Sequence, residues 1–264
     1  MGDATYIHGT ERAEQARLSR LNELTNKQFT DFLELEETSR VLEVGSGLGI
    51  LAQEVARLVP RGEVFGVEYS PAQLALAQNS LPNIHFTQGD AHALEFADAS
   101  FDVVYCRYVL EHLADPVRAL HEMFRVLRQG GKVFVQENNI LAHVVYPDCP
   151  RFDDLWRRFA VLQERLGGDA LIGKKLLPLL KEAGFQEISL SIQPEVHYTG
   201  QTGFRVWIEN TIGNVEGAAA GLQAQGLASR EEIGLAVGEL RALLERDDAC
   251  AFFYWNRATG VRRV

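Results

Sequence analysis

Glu43, Glu68 and Asp90 each lie within or just beyond a short apolar run, and Gly45, Gly47 and Gly49 stand between the first two acids. Glycine has no Cβ, so the backbone there can approach a ligand closely and take positive φ. The segment that follows, Ile50 to Leu58, is apolar and helical in pattern, so free N–H groups and partial positive charge at its start face the glycine bend. Glu68 lies nineteen residues beyond Gly49, close to the ~20 expected of an acid that accepts hydrogen bonds from both hydroxyls of a ribose. Together these residues outline a nucleoside-binding site. Its spacing is G-x-G-x-G with Ile50 in the sixth place, a departure from the G-x-G-x-x-G of dinucleotide sites.

Such residues converge only if the fold brings several strand ends together. Residues 41–44, 63–67, 83–88 and 101–105 read as short apolar strands separated by helical segments, and 127–135 as a turn leading into a fifth strand. That rhythm predicts βαβ units, a parallel sheet with helices on both faces and right-handed crossovers. Ligands of such sheets bind beyond the carboxyl ends of the strands. Residues 45–49, Glu68, Asp90 and residues 105–107 all fall there. Ser70-Pro71 and Asp115-Pro116 each pair an N-cap residue with proline at the first helical position. Leu120, Met123, Phe124 and Leu127 follow helical spacing and should face the sheet.

Glu43-x-Gly45-x-Gly47-x-Gly49 resembles motif I of the class I S-adenosylmethionine-dependent methyltransferases. Further landmarks follow in the order of that family: Glu68, Gly89-Asp90-Ala91, Asp102, and a Leu127-Arg-Gln-Gly-Gly turn with Gln129 where proline is usual. The resemblance covers residues 40–138 closely and the flanks more loosely. It implies S-adenosylmethionine as cofactor and S-adenosylhomocysteine as product. It also implies a cofactor set of Tyr6, Glu43, Gly45, Ser46, Gly47, Gly49, Glu68, Tyr69, Gly89, Asp90, Ala91 and Arg107. In the family the acid at the place of Asp90 bonds the adenine amino group, and the next backbone N–H, here that of Ala91, meets a ring nitrogen. Glu43 has two readings: it helps orient the methionine ammonium, or it stiffens the glycine loop. Arg107 likewise could bind a substrate carboxylate or phosphate, or form a surface ion pair.

The fold implied is α/β: a seven-stranded Rossmann-like sheet, mostly parallel, with an antiparallel seventh strand and helices on both faces. The chain reads as a single domain over 1–264, with an N-terminal helical cap (1–38), a cofactor-binding core (39–138) and a substrate-side half (139–264). Helices are expected at 152–166 and 174–183, a sixth strand at 186–192 and a seventh at 251–256. Between those strands lies a helical insertion, about 196–248. Its second half, 229–246, has a capping serine and an apolar stripe, and its glycine- and alanine-rich part, 213–226, reads as a flexible join or weak helix. The N-terminal segment reads as a helix over about 10–34, either a cap over the cofactor or a solvated amphipathic helix.

Methyl transfer from a sulfonium is an in-line displacement, so alignment and water exclusion matter most. His112, just after the fourth strand in a family-like Glu-His-Leu-x-Asp-Pro run, is the candidate base for a nucleophile that must lose a proton; in relatives this histidine also merely packs near adenosine. His8, Tyr108, His112, Trp156, His197 and Tyr198 are the expected substrate-pocket residues, and the aromatic clustering of the second half suits a small organic acceptor in an enclosed pocket. A net charge of −10 with no long basic run disfavours nucleic acid. No apolar run of membrane-spanning length and no secretory leader appear. Cys106, Cys149 and Cys250 are widely spaced, which indicates neither a disulfide frame nor a metal site. A cytoplasmic enzyme, monomeric or homodimeric, of secondary metabolism or cofactor synthesis is expected. Three other readings stand beside it. One is a protein or nucleic-acid methyltransferase, although the fourth strand ends in Tyr105-Cys-Arg-Tyr-Val without the Pro-Pro motif of amino-group methylases. Another is a nicotinamide oxidoreductase, which the missing glycine opposes. The last is a non-catalytic cofactor-binding protein.

Overall fold

The computed structural model describes residues 25–77 and 81–263. The expected N-terminal helix lies mostly outside the described residues, as do Tyr6 and His8; residues 25–30 are helical. The chain then alternates β1 (Arg40–Val44), α1 (Ile50–Leu58), β2 (Glu63–Glu68), α2 (Pro71–Leu74), β3 (Ile84–Gln88), β4 (Phe101–Arg107), α3 (Pro116–Val126) and β5 (Leu127–Glu137). The second half runs β6 (Val144–Tyr146), α4 (Pro150–Arg165), α5 (Leu176–Glu182), β7 (Gln186–Tyr198), α6 (Thr202–Ala224), α7 (Arg230–Leu243) and β8 (Cys250–Val261).

The sheet runs β3-β2-β1-β4-β5-β8. The first five strands are parallel, and β8 lies antiparallel between β5 and β7. This is the expected sheet with one addition. The three-residue β6 pairs with Phe252, Ala251 and Cys250 of β8, continuing the edge that β5 occupies from Asn256 to Val261. The strand expected at 186–192 continues to Tyr198, and the one expected at 251–256 to Val261.

Apolar burial explains why these segments form. α1 buries Leu51, Ala52, Val55 and Ala56 against one face of the parallel strands. α3 buries Ala119, Leu120, Met123 and Val126 against the other. Each fully buried Leu or Met side chain contributes about 1.5–3 kcal/mol. Asp115 accepts from the Arg118 N–H at 3.0 Å and Ser70 from that of Gln73 at 3.3 Å, so both proline-led starts are capped. α4, α6 and α7 pack together over Ala251, Phe253 and Trp255 of β8. The stretch 213–226 is no flexible join: α6 is continuous to Ala224. Small residues serve packing there, since a Cβ on Gly221 would stand 3.1 Å from Leu162 of α4. The consequence for the site is a layer of helices standing beside the strand ends and walling one side of the space above them.

Candidate active site

At the carboxyl end of β1 the chain bends at Gly45, with φ +75. A Cβ there would stand 2.4 Å from Val109 Cγ2, so only glycine fits. The Gly45 and Ser46 N–H groups both donate to the Val67 carbonyl at 2.8 and 3.0 Å, locking the bend to the end of β2. Glu68 completes the lock. Its Oε2 accepts from the Gly47 N–H and its Oε1 from the Ser70 N–H, both at 2.8 Å. One carboxylate thereby joins the glycine loop to the start of α2. Asp90 follows β3; its Oδ1 accepts from the His92 N–H at 2.8 Å and meets His92 Nδ1 at 2.7 Å. Partial burial opposes ionisation of Asp90, but these contacts outweigh it and hold the carboxyl below its usual range.

One cavity of about 810 Å³ opens above these strand ends. Glu43, Gly45, Ser46, Gly47, Glu68 and Tyr69 line its first part, with Gly89, Asp90 and Ala91 beside them. Arg107, Tyr108 and His112 line the middle, and Trp156 lies on the far wall. Three expected residues are absent from the lining. Gly49 is used inside the fold: its φ is +71, and a Cβ there would meet Phe86 Cζ at 2.4 Å. His197 lies behind the wall, its ring stacked on Trp207 with centroids 4.7 Å apart. Tyr198 ends β7 on the outward face and is half exposed.

Glu43 is buried, and its Oε2 has no partner within the protein. Burial pushes its pKa up to about 8, against the pull of the Arg107 guanidinium and the Tyr105 hydroxyl. The Ser46 hydroxyl is likewise buried without a partner. Arg107 donates to Asn26 Oδ1 at 2.7 Å and lies over the Phe29 and Tyr108 rings; this ties the segment at 25–30 to the site. Orphaned acceptors beside a bare backbone bend, with a half-exposed acid at the next strand end, fit a ligand with an ammonium group and a nucleoside. Among the described residues no group of three His, Cys, Asp or Glu side chains could hold a metal ion.

Sequence reasoning missed His143 and Trp255 in this cavity, and also Glu137, which supports the cavity without lining it. Glu137 ends β5 fully buried, and its Oε1 accepts from the Val109 and Leu110 N–H groups at 2.9 and 2.8 Å. It thereby fixes the turn that carries His112, while burial and the nearby Glu111 push its pKa well up. An acid closing the strand just after the apolar run Val133-Phe134-Val135 is the signal that could have found it. Tyr108 holds φ +58, uncommon for a non-glycine residue. His143 and Trp255 line the far wall beside Trp207, one of the aromatic residues of the second half expected in the pocket.

Residues 42–135 match the family described as a methyltransferase domain. Over those residues the chain carries a methyltransferase domain, in keeping with the S-adenosylmethionine-dependent family it resembles. A demethylmenaquinone methyltransferase of Chlorobaculum parvum is 36% identical over 105 residues, covering 40% of this chain and 43% of that protein. In fold the chain is similar to the YcgJ protein of Bacillus subtilis, with a TM-score of 0.61 at 18% identity, over 92% of this chain and 99% of the other. It is also similar to phosphoethanolamine N-methyltransferase 2 of Haemonchus contortus, solved with S-adenosylhomocysteine. There the TM-score is 0.56 at 20% identity, over 95% of this chain and 53% of that one. The chain spans about half the length, or less, of the curated relatives it matches. The matched region thus covers the part of the chain that holds the glycine loop, Glu68 and Asp90. The aromatic far wall lies outside residues 42–135, apart from Tyr108.

Proposed function

We propose that this protein transfers a methyl group from S-adenosylmethionine to a small organic acceptor seated against the aromatic wall. The observation that carries this reading is the continuity of the cavity: the glycine loop, Glu68 and Asp90 open into the same space as Trp156 and Trp207. When bound, the cofactor supplies a methyl group already activated as a sulfonium. Glu68 and Asp90 would hold its sugar and base, and the N–H of Ala91 would meet the ring. Glu43 and Ser46 offer unpartnered oxygens to its amino-acid end. None of these acids belongs beside the sulfur, where negative charge would favour the ground state over the less charged transition state. The helical layer excludes water and aligns the acceptor. His112 lines the cavity with its Nε2 3.7 Å from Glu111 Oε1, which supports a base role for it where the acceptor must lose a proton. A metabolite acceptor accords with the net charge of −10. No helix among the described residues is long and apolar enough to cross a membrane, in keeping with a cytoplasmic enzyme.

Calorimetric titration with S-adenosylhomocysteine and with NADH tests the cofactor half of this reading: the first should bind and the second should not. Screening candidate metabolites for a mass gain of one CH₂ group tests the acceptor half.

A further inference from the structure

The far wall of the cavity is aromatic, and its three indole N–H groups are all committed elsewhere. Trp156 Nε1 donates to the Ile140 carbonyl at 2.8 Å. Trp255 Nε1 donates to Glu195 Oε1 at 2.9 Å. Trp207 Nε1 donates to His143 Nε2 at 3.2 Å. The rings interlock edge to face, with Phe253 and Trp255 centroids 4.7 Å apart and Trp207 and Trp255 6.0 Å apart. Charged side chains nearer the middle are bonded too: Arg107 to Asn26, Arg118 to the His92 carbonyl and Glu111 to Asn138.

His143 on this wall keeps a ring nitrogen without a partner. The bond from Trp207 fixes its tautomer, because an Nε2 that accepts carries the lone pair and leaves the proton on Nδ1. Burial, with His197 nearby, pushes its pKa down to about 4, so the ring is neutral at physiological pH. His143 lines the cavity, and its Nδ1 is buried with no partner in the protein. A buried donor without an acceptor is costly, and an acceptor arriving with a ligand would relieve that cost.

We propose that this wall is the acceptor-recognition subsite, that it takes a flat uncharged ring, and that His143 donates a hydrogen bond from Nδ1 to an oxygen or nitrogen at the edge of that ring. The proposal rests on the methyltransferase reading above and adds the class of acceptor to it. His143 is a specificity-determining residue here and not the base, because its one lone pair is already held by Trp207. Trp207 acts through His143 as a positioning residue.

Three probes of nearly one shape separate the chemistry: quinoline, with a ring nitrogen that is neutral at pH 7.5; naphthalene, with no acceptor; and N-methylquinolinium, cationic with no acceptor. Binding to the full chain is followed by quenching of tryptophan fluorescence, with and without S-adenosylhomocysteine. The His143 Nδ1–H resonance is followed by ¹⁵N NMR. Quinoline should bind about tenfold more tightly than naphthalene, should bind more tightly than N-methylquinolinium, and should shift the Nδ1–H resonance downfield. His143→Phe should abolish the difference between quinoline and naphthalene while naphthalene binding and S-adenosylhomocysteine affinity persist. Equal binding of quinoline and naphthalene by the parent protein, preference for the cation, or an unmoved Nδ1–H resonance would each overturn the proposal without any variant having to fold. Titration of S-adenosylhomocysteine in the same samples keeps the two readings apart. Its failure with the quinoline preference intact removes the methyltransferase reading alone, and its success without the preference removes the subsite alone.

Discussion

Glu43 carries a carboxylate oxygen that nothing in the protein satisfies, and burial holds its pKa near 8 where an exposed glutamate titrates near 4.5. A folded-state value above the unfolded one means that folding retains the proton. The stabilisation is therefore fully present below about pH 4.5 and is lost as the pH rises through about 8. Glu43→Gln keeps the shape of the protonated acid and cannot ionise. It should match the parent in urea unfolding at pH 5 and exceed it at pH 9 by on the order of 3 kcal/mol. A parent protein equally stable at both pH values would contradict this. The two acids proposed to hold the cofactor should separate under mutation. Glu68→Ala strips the acceptor from the Gly47 and Ser70 N–H groups; S-adenosylhomocysteine affinity and stability should both fall, each by about 1–3 kcal/mol. Asp90 is half exposed, so Asp90→Ala should weaken binding by a similar amount yet change unfolding by less than about 1 kcal/mol. Calorimetric titration and chemical denaturation of both variants read the difference. At this scale the acids and the bend were legible in the sequence because chemistry of that kind needs acids at strand ends and glycine where backbone must come close. His143 was not legible, because its role comes from a tryptophan sixty-four residues away. Tyr198 misled because alternation along β7 turns its ring outward.

The loop between β1 and α1 is held from three sides: the Val67 carbonyl, the Glu68 carboxylate and the Val109 side chain. Gly45→Ala would force alanine into positive φ, about 1–2 kcal/mol by itself, and would drive its Cβ against Val109. The expected outcome is a stability loss of about 2–4 kcal/mol with weaker S-adenosylhomocysteine binding. Adding Val109→Ala should recover the steric part but not the backbone part, which thermal unfolding of single and double variants would show. The parallel strands were legible because strands covered on both faces read as unbroken apolar runs. β6 was invisible: three residues, of which Val144 and Tyr146 are exposed, carry no period. α6 looked weak because glycine and alanine set its propensity, whereas a buried stripe from Phe204 through Ile208, Ile212 and Val215 to Leu222 decides its fate. Propensity is a weak prior where tertiary packing supplies most helical stability.

Across the molecule the cavity is shared by parts with separate cores. One cluster of buried side chains joins α4, α6 and α7 to the start of β8, and two others flank the parallel strands. The glycine loop and Glu68 belong to the parallel part, while Trp156 and Trp207 belong to the helical layer. A lesion in one core should therefore disable one end of the cavity and spare the other. Phe152 tests this: it is fully buried in the helical cluster, with ring centroids 5.4 Å from Trp156 and 5.5 Å from His143. Phe152→Ala should cost about 3–5 kcal/mol in that layer through lost burial and the cavity left behind. Hydrogen exchange should then quicken in α4, α6 and α7 while β1 and β4 keep their protection. S-adenosylhomocysteine affinity should stay within about 0.5 kcal/mol of the parent, and binding of aromatic probes should weaken. Protection lost evenly across sheet and helical layer, together with lost S-adenosylhomocysteine binding, would mean that the two ends of the cavity stand or fall as one cooperative unit.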